Sequence, residues 1–191
     1  MIKLTSLILF CLLPLVVHAE WSLQKLADEI RPVRQREAQF TEVKEIFLLD
    51  ATLTQTGILS FRAPDVLRKE VKQPTALLIA IDGNELTIAA QGQPTRKLFL
   101  HQQPLLLAFT ESYRALLAGD RESLEHHYIT EMNGTRENWN LRLSPRNGAL
   151  KKLVVGIEFS GSYTDIKSIV TTELNGDRTI TDLIPVNGTE K

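Results

Sequence analysis

The stretch Gly57–Ile88, GILSFRAPDVLRKEVKQPTALLIAIDGNELTI, decides how the rest of the chain is read. It opens with an alternating segment, Gly57 to Arg62, whose period of two puts Leu59 and Phe61 on one face of a strand. Pro64 has no backbone donor and breaks the ladder. A second extended piece, Val66 to Gln73, ends at Pro74. A third, Thr75 to Asp82, is apolar on both faces, and Asp82-Gly83 is a hairpin turn leading into Glu85–Ala90. Consecutive antiparallel strands of this kind make a curved sheet with an apolar side, and that side needs a cover.

Outward from this block the pattern continues. Residues 39–47 read as a first long strand, with 52–55 starting the next, after a polar segment at 33–37. Arg96 to His101 forms a short strand beyond the loop 91–94. On the C-terminal side, 127–132 pairs with 137–143 through an Asn133-Gly134 turn. In the second of these, Trp139, Leu141 and Leu143 alternate with polar residues. Strands at 152–159, 164–174 and 178–184 complete a series of about ten, the last two joined by Asn175-Gly176-Asp177.

Two helices stand out against this background. Ser22 is placed to cap one that carries Leu23, Leu26, Ala27 and Ile30 on a single face. Pro104 opens another, running to Ala118 and closed by Gly119. Leu106, Phe109, Tyr113, Leu116 and Leu117 form its stripe, but Leu105 and Leu107 make it wider than a normal core-facing face. A polar segment at 120–125 is a third, shorter helical candidate. The fold class expected is α+β: one curved antiparallel sheet forming a half-open barrel, with a helical lid on its concave side.

The N-terminus reads as an export signal. Lys3 precedes an apolar run, Leu4 to Val17, and Val17-His18-Ala19 suits a signal peptidase, so cleavage is expected after Ala19, leaving 20–191 as one domain. The run is shorter than the ~20 residues a membrane span needs. Cys11, the sole cysteine, lies inside it, so the remaining chain has no thiol and no disulfide. Export without disulfides points to a periplasm. The formal net charge of −1 supplies no basic stripe, and nucleic acid is not an expected partner.

Nothing in the pattern carries catalysis, and no cofactor is expected. His126 and His127 are adjacent, so on a strand they face opposite sides and make a poor metal pair; His101 has no second ligand at a recognisable spacing. The serines lack a nucleophile-elbow setting, and the carboxylates are scattered along polar faces. The informative feature is apolar excess. Leu59, Phe61, Leu67, Leu77, Ile79, Leu86, Ile88 and Phe99 are the candidate wall of a cavity, and Leu105, Leu106, Phe109, Tyr113 and Leu116 the candidate lid. Either the helices complete a dry core, as in an interaction module that docks a partner protein, or they stopper a hollow that takes acyl chains. Periodicity leaves both open.

The order of these elements resembles the LolA-like periplasmic carriers of outer-membrane lipoproteins. The resemblance rests on Ala38-Gln39-Phe40-Thr41-Glu42, on Gly57 to Pro64, on Leu67-Arg68, and on Gln73-Pro74 followed by Asp82-Gly83-Asn84-Glu85-Leu86. It extends through Pro104-Leu105-Leu106-Leu107 and Trp139 to Pro145. It implies a monomeric carrier whose cavity shields the acyl groups of a lipoprotein, received from an inner-membrane donor transporter and passed to an outer-membrane acceptor. On this resemblance Leu59, Phe61 and Leu67 face the cavity, and Leu105 and Leu106 belong to the lid. Where the family commonly has arginine before the strand-end proline, this chain has Ala63, with Arg62 one place earlier and on the other face. A related cargo, such as another lipid, a glycolipid or a lipid-linked pigment precursor, is the alternative.

Overall fold

In a computed structural model the described residues are 21–146, 148 and 150–186; the expected signal segment, 1–19, lies outside them. Helix α1 (Leu23–Ile30) is capped as its sequence indicates, Ser22 Oγ accepting the Lys25 N–H at 3.4 Å, and it buries Leu23, Leu26, Ala27 and Ile30. The chain then runs through β1 (Gln35–Ile46), β2 (Ala51–Arg62), β3 (Val66–Gln73), β4 (Leu77–Asp82), β5 (Glu85–Ala90) and β6 (Arg96–Phe99) as one antiparallel meander. Helices α2 (Pro104–Ala118) and α3 (Arg121–His127) follow. A second meander, β7 (Tyr128–Gly134), β8 (Trp139–Pro145), β9 (Val154–Ser162), β10 (Asp165–Glu173) and β11 (Arg178–Pro185), returns so that β11 pairs with β1.

The result is a single antiparallel sheet of 11 strands in the order β6-β5-β4-β3-β2-β1-β11-β10-β9-β8-β7, left open at β6 and β7. The register carries one face across both meanders. Gly57 lies opposite Phe40, Phe40 opposite Leu183, and two residues along the same strands Thr181 lies opposite Ile169, Ile169 opposite Phe159 and Phe159 opposite Leu141. All three helices pack on this inner face. Gly57 is required where Phe40 crosses it: a Cβ there would lie 1.9 Å from the Glu70 carbonyl oxygen and 2.9 Å from the Phe40 ring. Gly119 closes α2 with φ +66, its amide reaching Leu116 O at 3.0 Å.

Four local expectations differ from the structure. β1 starts at Gln35, inside the segment read as polar connection, because β2 is long enough to pair with it as far as Arg62. Asn133 and Gly134 are not a turn but the last pairs of β7, opposite Asn140 and Trp139; the reversal occurs at 135–138. His126 and His127 close α3 rather than opening a strand, since Asp120 caps that helix by accepting the Ser123 N–H at 3.0 Å. Phe99 falls on the outer face: it lies opposite Glu85, while Leu98 takes the inward position opposite Leu86.

Candidate functional site

The inner face is covered unevenly, and the candidate site follows from that. On the β7–β10 half, α1, α3 and the C-terminal half of α2 bury Leu26, Ile30, Leu116, Leu124, Trp139, Leu141, Leu143, Ile157 and Phe159 in one cluster. Most of these side chains have no solvent contact, and this half is a dry core. On the β3–β6 half the connected buried cluster shrinks to Ile81, Leu86 and Leu100, with Val71 and Phe61 buried outside it. Around it Leu67, Ile79, Ile88, Leu98, Leu106 and Leu107 pack while staying half-buried. The two halves meet along α2. Its C-terminal turns are anchored by Ala115 and Leu116 in the dry core, and its N-terminal turns rest Leu106 and Leu107 on the smaller cluster.

Of the expected wall, Leu59, Phe61, Leu67, Leu77, Ile79, Leu86 and Ile88 share the inner face, by the pairs Phe61–Leu67, Leu67–Ile81, Ile81–Leu86, Val71–Leu77 and Ile79–Ile88. Phe99 does not join them; it is 49% exposed and stacks on His101, with ring centroids 5.8 Å apart. Of the expected lid, Leu106 sits over the β3–β6 half, whereas Tyr113 and Leu116 belong to the dry core. The side chains of Leu105 and Phe109 lie outside the described residues. Beside the small cluster, Ile88, Ala90, Gln93, Pro94 and Arg96 line a hollow of about 270 Å³. That is below the ~300–1,000 Å³ usual for a small-molecule site.

Polar groups interrupt the wall at defined places. Lys69 reaches both carboxylate oxygens of Glu42 at 2.7 Å, and Thr181 Oγ1 donates to Glu42 at 3.0 Å. The Lys69 ammonium also lies 5.0 Å from the centre of the Phe40 ring. Burial pushes the Tyr113 phenol up to about 12, against the opposing effect of its hydrogen bond with Thr171. Arg114, buried on α2, donates through Nη2 to the Gly83 carbonyl at the β4–β5 turn (2.5 Å) and through Nη1 to Glu111 (3.1 Å). Thus the apolar helix is tied to the hairpin by its own arginine, although Ala63 supplies none from the sheet.

Arg36 stands opposite Phe61 on the inner face. Its Nη1 donates to the Thr164 carbonyl at 2.6 Å, while Nε and Nη2 are buried without a partner. Desolvation lowers its pKa, with the charge of Asp165 acting the other way. Arg36 and Arg114 escaped the sequence reading, but both left a trace there. Arg36 shares the parity of Ala38 and Phe40, and Arg114 is the only cation between Pro104 and Ala118. Among the described residues no three His, Cys, Asp or Glu side chains gather where a metal ion could bind.

The family described as outer membrane lipoprotein carrier protein LolA-like matches residues 13–187, nearly the whole chain. The chain belongs to this LolA-like family. No curated protein is a significant match to it by sequence. Among solved structures, the LolA-like chain is similar to a LolA superfamily protein from Nitrosomonas europaea at 11% identity and a TM-score of 0.46, covering 88% of this chain and 93% of that one. A DUF1329 family protein from Desulfovibrio piger matches at 10% identity and 0.47, covering 88% and 92%. A putative outer membrane lipoprotein-sorting protein domain from Vibrio parahaemolyticus matches at 10% identity and 0.42, covering 88% and 94%.

Proposed function

We propose that this LolA-like chain is an exported, non-catalytic carrier. It loses residues 1–19 on export and works as a monomer in the periplasm. It holds the acyl chains of a lipoprotein or related lipid against Leu59, Phe61, Leu67, Leu77, Ile79, Leu86 and Ile88, and passes them from an inner-membrane donor toward an outer-membrane acceptor. The observation that carries this reading is the largely half-buried apolar wall of the β3–β6 half, on which Leu106 and Leu107 of α2 rest beside Leu100.

The mechanism is an exchange of burial. Each half-buried lid leucine holds the closed state by ~1 kcal/mol, and a methylene moved from water is worth ~0.8 kcal/mol, so one or two methylenes replace each leucine. The dry β7–β10 half keeps the rest of α2 in place while this happens, so opening is local. Onward transfer then needs only an acceptor that binds the chains more favourably. The same sealed half favours a second reading, a purely structural module that docks a protein partner.

Native mass spectrometry of protein purified from a periplasm, followed by solvent extraction, decides between them. Bound lipid or acylated peptide is expected. Protein that is always empty, and that takes up no acylated peptide on mixing, would leave only the structural module.

A further inference from the structure

The β1–β2 connection is a 3₁₀ turn, Phe47–Leu49, whose three apolar side chains are all exposed: Phe47 by 74%, Leu48 by 87% and Leu49 by 67%. Apolar residues so fully presented, three in succession, are not the scattered exposure usual on a soluble surface. They are also not alone. Leu53 on β2, Leu174 in the β10–β11 turn and Leu153 before β9 are exposed by 54%, 61% and 45%. The Phe47 ring lies against the β10–β11 turn, 3.0 Å from where a Cβ on Gly176 would stand, and the Leu174 N–H donates to the Leu153 carbonyl at 2.8 Å. Three connections therefore meet at one end of the sheet in an apolar tip.

The tip is held outward by its base. The Phe47 N–H donates to Asp177 Oδ1 at 3.1 Å, and Asp177 is itself buried beside Lys44, whose ammonium lies 3.6 Å from it and 2.8 Å from Glu173. Lys151 and Lys152, both exposed, immediately precede Leu153; Asp50 is the carboxylate within the turn. We infer that this end of the molecule is a membrane-contacting tip, in which Phe47, Leu48 and Leu49 enter the headgroup boundary of an anionic bilayer beside Lys151 and Lys152. A fluid acyl boundary accepts such projecting side chains without the shape matching that a folded protein partner requires. The paired lysines supply the attraction to anionic headgroups. This inference does not rest on the carrier reading: a tip for docking on a bilayer is useful to a carrier but is defined by its own residues.

Sedimentation with phosphatidylcholine vesicles, with and without phosphatidylglycerol, tests it. Wild type should partition onto the anionic vesicles, and Leu48→Asp should weaken that partitioning by at least about tenfold while leaving thermal unfolding unchanged, because Leu48 is 87% exposed. Lys151→Glu with Lys152→Glu should abolish the preference for phosphatidylglycerol. Absence of wild-type binding, equal binding by Leu48→Asp, or a dimer in sedimentation velocity that Leu48→Asp dissociates would each overturn it. Uptake of a fluorescent fatty acid from solution, run on the same proteins, separates the two proposals. Leu48→Asp should lose partitioning and keep uptake. A wild type that partitions but takes up no fatty acid keeps the tip, and uptake of acylated peptide then decides the carrier.

Discussion

Weakening the lid should tighten the grip on cargo, and the double substitution Leu106→Ala/Leu107→Ala tests this. Both leucines are half-buried against the small cluster around Ile81, Leu86 and Leu100. Each change removes three carbons, worth ~0.8 kcal/mol apiece when fully buried, so at half burial each leucine contributes ~1 kcal/mol and the pair ~2 kcal/mol. Alanine is as good a helix former as leucine, so α2 stays helical and only its hold on the sheet changes. If acyl chains and lid leucines compete for the same wall, the closed state loses that ~2 kcal/mol and affinity for an acylated peptide rises by up to about 30-fold. Fluorescence titration with a labelled acyl peptide measures the affinity. Amide exchange over 106–113 should accelerate by a similar factor, with 121–127 as an unchanged reference, because α3 is anchored through Leu124 in the dry core. Faster exchange accompanied by unchanged or weaker cargo binding would refute competition, since the leucines would then be bystanders or part of the binding wall.

Three other substitutions and titrations probe the supporting structure. Arg36→Met removes two buried, unpartnered nitrogens along with one hydrogen bond to Thr164, and unfolding stability should rise by about 1 kcal/mol in urea; a loss of that size would show that the guanidinium is satisfied in solution. Gly57→Ala forces a Cβ to within 1.9 Å of the Glu70 carbonyl, so β2 and β3 must part, at a cost of about 1–3 kcal/mol in the same assay; a change under ~0.5 kcal/mol would contradict the close strand approach. Tyr113, pushed up to about 12, keeps its proton in the folded state after the unfolded chain has lost it at ~10. Its contribution to stability is thus present below pH ~10 and declines as pH rises toward 12. Tyr113→Phe should flatten that decline in pH-dependent unfolding, and an identical alkaline profile in the variant would show that the phenol is not protected.

Local alternation and distant packing specify different parts of this fold. Strand faces in the block 57–88 were legible because alternation is local: Leu59, Phe61 and Leu67 had their partners within a few residues, and the Asp82-Gly83 turn set the next register. The α1 cap and the span of α2 were legible for the same reason. Parity failed at β6, where Leu98 and Phe99 are both apolar and four residues are too few to define a face; only pairing with Leu86 chose Leu98. The Asn133-Gly134 signal lost to the continued pairing of β7 with Trp139, a contact between residues the turn rule does not weigh.

What the chain alone determined, then, is most of the elements, the inward residues of the block 57–88 and the apolar excess, all properties of neighbours along the backbone. Only the tertiary structure decided that α2 closes one half of the sheet as solid core and merely rests on the other. It also decided that Arg114 finds its acceptor at Gly83, and that Arg36 is half-buried with its Nε and Nη2 enclosed. Those outcomes depend on which distant side chains compete for one surface, and that competition is settled by packing between elements rather than by the pattern within any of them.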